Sequence, residues 1–338
     1  LKSLTELNKE LTASAQPFII ITTHHKPDAD AMGSSLGLYH YLKVKGFNNV
    51  QVIAPTDYGS SLHWMPANDL VMVYEEQEAR SKELIAQANY IFCLDFNALK
   101  RINEMGHEVA ISEATKVMID HHLEPENFAD FGISDTKACS TAELIHRYIH
   151  LSGDDALMNK DIAECLYAGI LTDTGNFRHD TTTAQTHRIV ADLIAAGANS
   201  SYIQSQIYDN FSLSRMQFIG HILANKLHIL EGLNTALMVI DRNELRKYDI
   251  ITGDTEGLVN YGLSISGVKL AILVIDRTVR VKMSFRGKGT FPCNEFARKY
   301  FKGGGHFNAA GGESEDPLEV VVANIKTYLQ EYKHLLNP

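Results

Sequence analysis

The sequence predicts an α/β protein: a parallel-sheet domain with helices on both faces, followed by a smaller α/β domain. Three observations point there. Short β-branched runs alternate with helical apolar patterns through the first half of the chain, as in strands buried on both faces. Two of those runs stop at carboxylates and imidazoles, His24-His25-Lys26-Pro27-Asp28-Ala29-Asp30 and Asp120-His121-His122, and the carboxyl edge of a parallel sheet is where such folds place ligands. Beyond residue 225 the charge balance and the spacing of strands both change, marking a second domain.

Residues 18–22, with three consecutive isoleucines, read as the first strand, and residues 31–45 as the helix after it. Residues 50–54 form a second strand, 81–88 a helix, 90–94 a third strand and 116–119 a fourth. From Ser140 the pattern turns helical. Ser140-Thr141-Ala142-Glu143 resembles a capping box opening a helix through 151, and residues 159–171, 183–196 and 200–208 keep helical spacing. Domains are expected at 1–210 and 225–338, joined by a helical connector at 211–224. Without a Pro or Gly-Ser tract, that connector reads as a semi-rigid hinge. Further on, residues 236–240, 270–275 and 279–285 are strand-like, with Asp276-Arg277 as a turn, and helices are expected at 255–264, 293–300 and 317–332.

The chain has 338 residues, 45% apolar and 21% charged, the composition of a globular protein with room for two cores. No apolar run approaches a membrane span. The first ten residues lack the basic start and apolar core of a signal peptide. Cys93, Cys139, Cys165 and Cys293 form no CxxC pair, so buried thiols are expected rather than thiolate ligands. The resulting expectation is a cytoplasmic protein without a membrane partner. A net charge of −10 argues against coating long nucleic acid. Residues 1–224 hold 16 Lys and Arg against 28 Asp and Glu, whereas residues 225–338 hold 15 against 13. Divalent cations would neutralise part of the first region, and the second is suited to an anionic substrate.

Pro27 and the short loop around it disfavour helix, so Asp28 and Asp30 can turn towards one point above the strand end, with His24 as a nitrogen donor. Imidazole with carboxylate suits Mn²⁺ or a similar ion better than Ca²⁺. Alone, this segment is equally a polar loop with a helix cap at Asp30. Asp120-His121-His122 alone fits a solvated strand end, Asp95 after residues 90–94 fits a helix cap, and Asp173 in Leu171-Thr172-Asp173-Thr174-Gly175 fits a turn cap. Together they differ, because burying that much negative charge without a counter-ion costs several kcal/mol per group. Two metal ions about 3.5–4 Å apart would polarise a phosphoryl group and activate a bridging water. Asp95 is the candidate bridging carboxylate. No nucleophile elbow or Walker loop offers a different chemistry.

Gly303-Gly304-Gly305-His306 and Ala309-Ala310-Gly311-Gly312 form the second signal. Small residues let backbone N–H groups approach an anion, although a flexible surface loop has the same composition. Residues 269–302 hold nine Lys and Arg against two Asp and Glu. Among them Arg286 is the expected phosphate clamp, since its planar fork matches a phosphate. Lys299 and Lys302 read as ordinary solvated helix residues.

His24-x-x-Pro27-Asp28-x-Asp30-Ala31, Asp95, Asp120-His121-His122, Thr172-Asp173-Thr174-Gly175 and the glycine clusters together resemble the DHH phosphoesterase superfamily, in its form with a C-terminal DHHA1 domain. The resemblance covers almost the whole chain. Within the superfamily it resembles the stand-alone nano-RNases that also act as phosphatases on 3′-phosphoadenosine 5′-phosphate (pAp). It implies an active site in an interdomain cleft, with one Mn²⁺ held by His24, Asp28 and Asp95 and another by Asp30, Asp95, His121 and Asp173; Mg²⁺ or Co²⁺ are alternatives. It implies that His122 orients the scissile phosphate or protonates the leaving oxygen, and that Arg286, Gly303, Gly304, Gly305 and His306 bind substrate. Arg178 either reaches a phosphate or makes a structural salt bridge.

The expected function is Mn²⁺-dependent hydrolysis of short RNA oligonucleotides to mononucleotides and of pAp to AMP, by a hydroxide bridging two metals. Linear or cyclic dinucleotides (pApA, cyclic di-AMP) are the alternative substrates. Inorganic polyphosphate fits less well, because that related group carries a different C-terminal domain. A nucleotide-binding protein without catalysis is the alternative from another class, and the intact ligand set speaks against it. Partners are short RNA and small phosphonucleotides. A homodimer is allowed, although no sequence signature marks one.

Overall fold

The computed structural model describes residues 1–251, 253–277 and 279–337 and divides into two units, Leu1–Asn210 and Phe211–Pro338. In the first unit the elements run α1 (Leu4–Ala13), β1 (Ile19–Thr22), α2 (Ala29–Val44), β2 (Val50–Ala54), β3 (Met72–Val73), α3 (Glu78–Gln87), β4 (Tyr90–Leu94), α4 (Met105–Ile111), β5 (Thr115–Asp120), β6 (Phe131–Ser134), α5 (Thr141–Leu151), α6 (Lys160–Asp173), α7 (Ala184–Ala195) and α8 (Ser200–Tyr208). The six strands stand in the order β3-β2-β1-β4-β5-β6, and every pair is parallel. The order reverses between β1 and β4. Chain leaving these two strands diverges to opposite sides and opens a crevice at their carboxyl ends.

Burial follows the two-residue period of a strand. Ile19, Ile21, Val52, Phe92, Leu94, Val117 and Ile119 face the core shared with α1, α2, α5, α6 and α7. Ile20, Ile53, Ile91 and Cys93 face α3 and α4. Both faces are thus covered, as a parallel sheet requires. On the first face α2 and α6 meet backbone to backbone. A Cβ on Gly33 would collide with the Cys165 carbonyl oxygen, and one on Gly169 would fall 2.7 Å from both the Ala142 side chain and the Asp30 carboxylate.

Four elements of this unit, α1, β3, α4 and β6, are not among those expected from the sequence. The expected capping box at Ser140 is also shifted. Ser140 Oγ accepts from Glu143 N at 3.1 Å, but the Glu143 carboxylate accepts from Cys139 N, not from Ser140 N.

The second unit runs α9 (Leu213–Asn225), β7 (Leu227–Leu230), β8 (Thr235–Ile240), α10 (Arg242–Lys247), α11 (Leu258–Leu263), β9 (Leu270–Asp276), β10 (Val281–Gly287), α12 (Cys293–Tyr300), β11 (Gly304–His306), β12 (Ala309–Ser314), α13 (Leu318–Tyr328) and α14 (Lys333–Leu336). Its sheet has the order β11-β12-β10-β9-β8-β7, antiparallel except for β8 with β9. The helix expected as a connector is α9, and its Phe218, Ile219 and Ile222 pack with Ala236, Met238 and Leu273 in this unit's own core. The opposite face, with Leu237, Ile272, Val274 and Phe285, is covered by α12 and α13.

The glycine-rich segment is not the loop its composition suggested. It is the β11–β12 hairpin, with Gly305 paired to Ala310. Gly305 has φ +138°, and a Cβ there would press on the Ala309 carbonyl oxygen, so glycine is a requirement of the hairpin itself. All four cysteines are buried free thiols. Among the described residues no helix is long and apolar enough to cross a membrane.

The α2–α6 contact yields the first prediction. Gly33→Ala forces the two helices apart against a backbone atom, and overpacking of this kind costs about 1–3 kcal/mol. Urea denaturation should show a lowered midpoint with an unchanged slope. A loss below about 0.5 kcal/mol, the range of a neutral surface change, would contradict the close contact.

Candidate metal centre

The crevice between β1 and β4 gathers side chains from three strand ends and three helices. His24 lies two residues beyond β1, Asp95 directly follows β4, and Asp120 closes β5. Asp95 is buried and has φ +64°, an uncommon conformation for a residue with a Cβ. Its backbone N–H donates to the Ile119 carbonyl at 3.1 Å. Oδ2 of Asp95 lies 3.4 Å from His24 Nε2, and Oδ1 lies 3.4 Å from His121 Nε2. The Thr141 hydroxyl donates to Oδ1 at 2.9 Å.

Asp28 and Asp30 divide differently from the pattern considered for the sequence. Asp28, not Asp30, caps α2: its Oδ1 accepts from Asp30 N and Ala31 N, both at 3.0 Å. Its other oxygen, Oδ2, lies 3.7 Å from His24 Nε2. Asp30 is fully buried and accepts from the first amides of a different helix, α5: Thr141 N at 2.6 Å and Ala142 N at 2.8 Å. Its Oδ2 lies 3.9 Å from His121 Nε2. Asp173, the last residue of α6, brings Oδ2 to 3.2 Å from the same nitrogen.

His24, Asp28, Asp30, Asp95, His121 and Asp173 are therefore one cluster. His24, Asp28 and Asp95 offer ligand atoms within 4.8 Å of one another, as do Asp30, Asp95 and His121. Asp95 is common to both groups. Asp120, which had no separate role in the sequence reading, accepts from His122 Nδ1 at 2.7 Å through Oδ1 and from His122 N at 3.1 Å through Oδ2. The signal for Asp120 was its place at the end of an apolar strand, two residues before the ring it holds. Nothing in the sequence pointed to Thr141, which is 46 residues from Asp95.

Arg178 is exposed, donates from Nε to the Gly175 carbonyl at 3.0 Å and makes no ion pair among the described residues. In the second unit the register aligns Arg286 with Ala309 and Ala309 with His306. Directly opposed residues share a face, so Arg286 and His306 flank a small residue on the face away from Phe285 and α12. Gly304 and Gly311 are paired on the same face, and Gly303 and Gly305 precede and follow Gly304. Lys299 and Lys302 form exposed pairs with Glu331 and Glu315, as expected of solvated residues.

The electrostatics of the cluster show what it lacks. None of Asp28, Asp30, Asp95 and Asp173 pairs with Lys or Arg among the described residues, and their only cationic partners are imidazoles. Burial alone would depress the His24 imidazole, but the Asp28 and Asp95 carboxylates outweigh it and raise it to about 10. Burial likewise opposes the charge on His121, and Asp173 and Asp95 raise it well above the usual range. Burial would push Asp95 up, yet His121 and His24 hold it well below the ordinary carboxylate value. Asp30 moves the other way, driven up by burial and then by the charges of Asp95 and Asp173. So many oxygen donors around two imidazoles fit hard or borderline divalent cations, and cations would supply the counter-charge that buried carboxylates need.

The DHH family, N-terminal domain, matches residues 18–170, and the DHHA1 domain matches residues 235–336. The chain is 29% identical to the bifunctional oligoribonuclease and PAP phosphatase NrnA of Bacillus subtilis, over 95% of this chain and 98% of that protein. It is 30% identical to the protein of the same name from Thermus thermophilus, over 89% of this chain and 86% of that one. The crystal structure of an exopolyphosphatase-related protein from Bacteroides fragilis has a TM-score of 0.94 to this fold at 39% identity, covering 99% and 98% of the two chains.

The raised His24 pKa of about 10 has a direct consequence. At pH 7 the ring carries a proton that a metal ion must displace, so affinity should rise with pH. Calorimetric titration with Mn²⁺ in two buffers of different ionisation enthalpy should give different apparent heats, corresponding to release of roughly one proton or more per chain. Equal heats in both buffers would rule this out.

Proposed function

This chain belongs to the DHH family of phosphoesterases and carries a DHHA1 domain; from that membership we propose that it is an Mn²⁺-dependent enzyme with two kinds of substrate. It removes the 3′-phosphate of pAp to give AMP, and it degrades short RNA oligonucleotides to mononucleotides. The observation that carries the proposal is the buried cluster sharing Asp95, in a chain similar along nearly its full length to proteins named for these two activities.

In this reading His24, Asp28 and Asp95 would hold one ion, and Asp30, Asp95, His121 and Asp173 would hold the other. Two such ions would supply charge neutralisation at the phosphoryl oxygens and an activated water. The protein's own groups do the rest. Asp120 occupies Nδ1 of His122 at 2.7 Å, which makes Nε2 the nitrogen that serves the substrate. From there His122 orients the scissile phosphate or delivers a proton to the leaving oxygen. Arg286 offers a guanidinium fork to a phosphate. His306 and the backbone of Gly303, Gly304 and Gly305 border the same small-residue surface, and Arg178 is a further candidate phosphate contact. The modest charge of the second unit and the overall charge of −10 favour short anionic ligands over polymers.

Two experiments test this. The first is a product-resolved assay with Mn²⁺ on pAp, dinucleotide RNA, a longer RNA, cyclic di-AMP and polyphosphate, run beside Asp95→Ala. AMP from pAp and mononucleotides from the dinucleotide, both lost in the variant, are the expected outcome. Hydrolysis of polyphosphate alone, or of nothing at all with metal bound, contradicts the proposal. The second is Asp120→Asn, which keeps the volume but removes the charge that holds His122. The turnover number should fall roughly 10²-fold with Mn²⁺ binding retained. Unchanged turnover would remove His122 from the chemistry.

A further inference from the structure

We infer that Thr141 is a positioning residue that fixes the plane of the Asp95 carboxylate, so that one oxygen faces each half of the metal centre. The inference rests on the reading of Asp95 as a shared ligand. Thr141 opens α5 and is fully buried. Its hydroxyl donates to Asp95 Oδ1 at 2.9 Å, and its backbone N–H donates to Asp30 Oδ2 at 2.6 Å. One residue therefore holds two of the donors that converge on His121.

The need for such a residue follows from symmetry. His24 and His121 stand at the same distance, 3.4 Å, from the two oxygens of Asp95, and His122 Nδ1, 3.7 Å from Oδ1, is already engaged by Asp120 at 2.7 Å. The terminal torsion of a carboxylate is broad and roughly two-fold, so the imidazoles alone do not fix its angle. A freely turning carboxylate can offer both oxygens to one ion and abandon the other. The Thr141 hydroxyl removes that freedom by tying Oδ1 to the side of His121 and Asp30, which leaves Oδ2 facing His24 and Asp28. Gly169 leaves room for Asp30 to sit against the same helix start, since a Cβ there would fall 2.7 Å from Asp30 Oδ1.

The test compares Thr141→Val, of nearly the same shape without the hydroxyl, with Thr141→Ser, which keeps it. Mn²⁺ binding is followed by calorimetry and by the paramagnetic resonance signal of unbound Mn²⁺. Wild type and Thr141→Ser should bind two ions per chain. Thr141→Val should keep the first and bind the second about tenfold or more weakly, the usual scale for losing an outer hydrogen bond to a ligand. Thr141→Ala carries the same expectation should Thr141→Val not fold. If the hydroxyl-free variant binds both ions like wild type, or loses both equally, the inference is overturned. A wild-type protein that binds a single ion overturns the shared-ligand reading itself, a result separable from failure of the inference alone.

Discussion

The Asp95 carboxylate lies buried between the imidazoles of His24 and His121, and its charge must be compensated there by neighbours or by ions. The remaining features of the carboxyl edge follow from that constraint. Imidazoles crowd the carboxylate, and together with Asp28 and Asp173 it raises their pKa. Other carboxylates crowd the imidazoles, and one of them, Asp30, is forced towards the neutral form. Such an arrangement is expensive to keep without cations. A left-handed backbone at Asp95 and a buried cluster of like charges are the strains that persist where function demands them.

Topology explains why the cluster forms there. Six parallel strands with a reversal between β1 and β4 leave one crevice that no crossover helix fills. β1 and β4 contribute the residues on either side of it, β5 contributes the two histidines, and the helices α5 and α6 bring their ends to the same point. The amino end of α5 faces Asp30 with its first N–H groups, where a helix favours negative charge. The end of α6 that carries Asp173 is set by the glycine contact with α2. No single loop builds the site, so its geometry is as rigid as the sheet beneath it.

Much of this was legible in the sequence because buried parallel strands announce themselves. Residues 90–94 carry an unbroken apolar run and are β4, and residues 50–54, apolar except for Gln51, are β2. The elements that were missed fail for identifiable reasons. β3 has two residues, too few for any period, and β6 contains Gly132 in a conformation open to glycine. α1 did carry a signal, since Ser3 and Glu6 form a capping box, and Asp241 with Glu244 form another at α10. The glycine hairpin is different, because Gly and Ala have little intrinsic strand preference. Its strands exist because Ala309–Ser314 pairs with β10, a partnership that no local pattern encodes. At the site, donor types at strand ends could be read from the sequence, whereas the hydrogen bonds that orient them join residues far apart in the chain.

The backbone contact of α2 with α6 has a bearing on how the protein opens. Asp30 stands at the start of one helix and Asp173 at the end of the other, and the two helices are joined through Gly33 and Gly169. Helices in such contact cannot fray independently without exposing the seam. Amides of α2 and α6 should therefore exchange with solvent as one cooperative unit, so local unfolding that released Asp173 would release the seat of Asp30 with it. The cluster would then be lost as a whole rather than one side chain at a time. Small thermal excursions would leave the spacing of its donors intact, and the entropic cost of assembling them would be met when the chain folds, before any ion arrives.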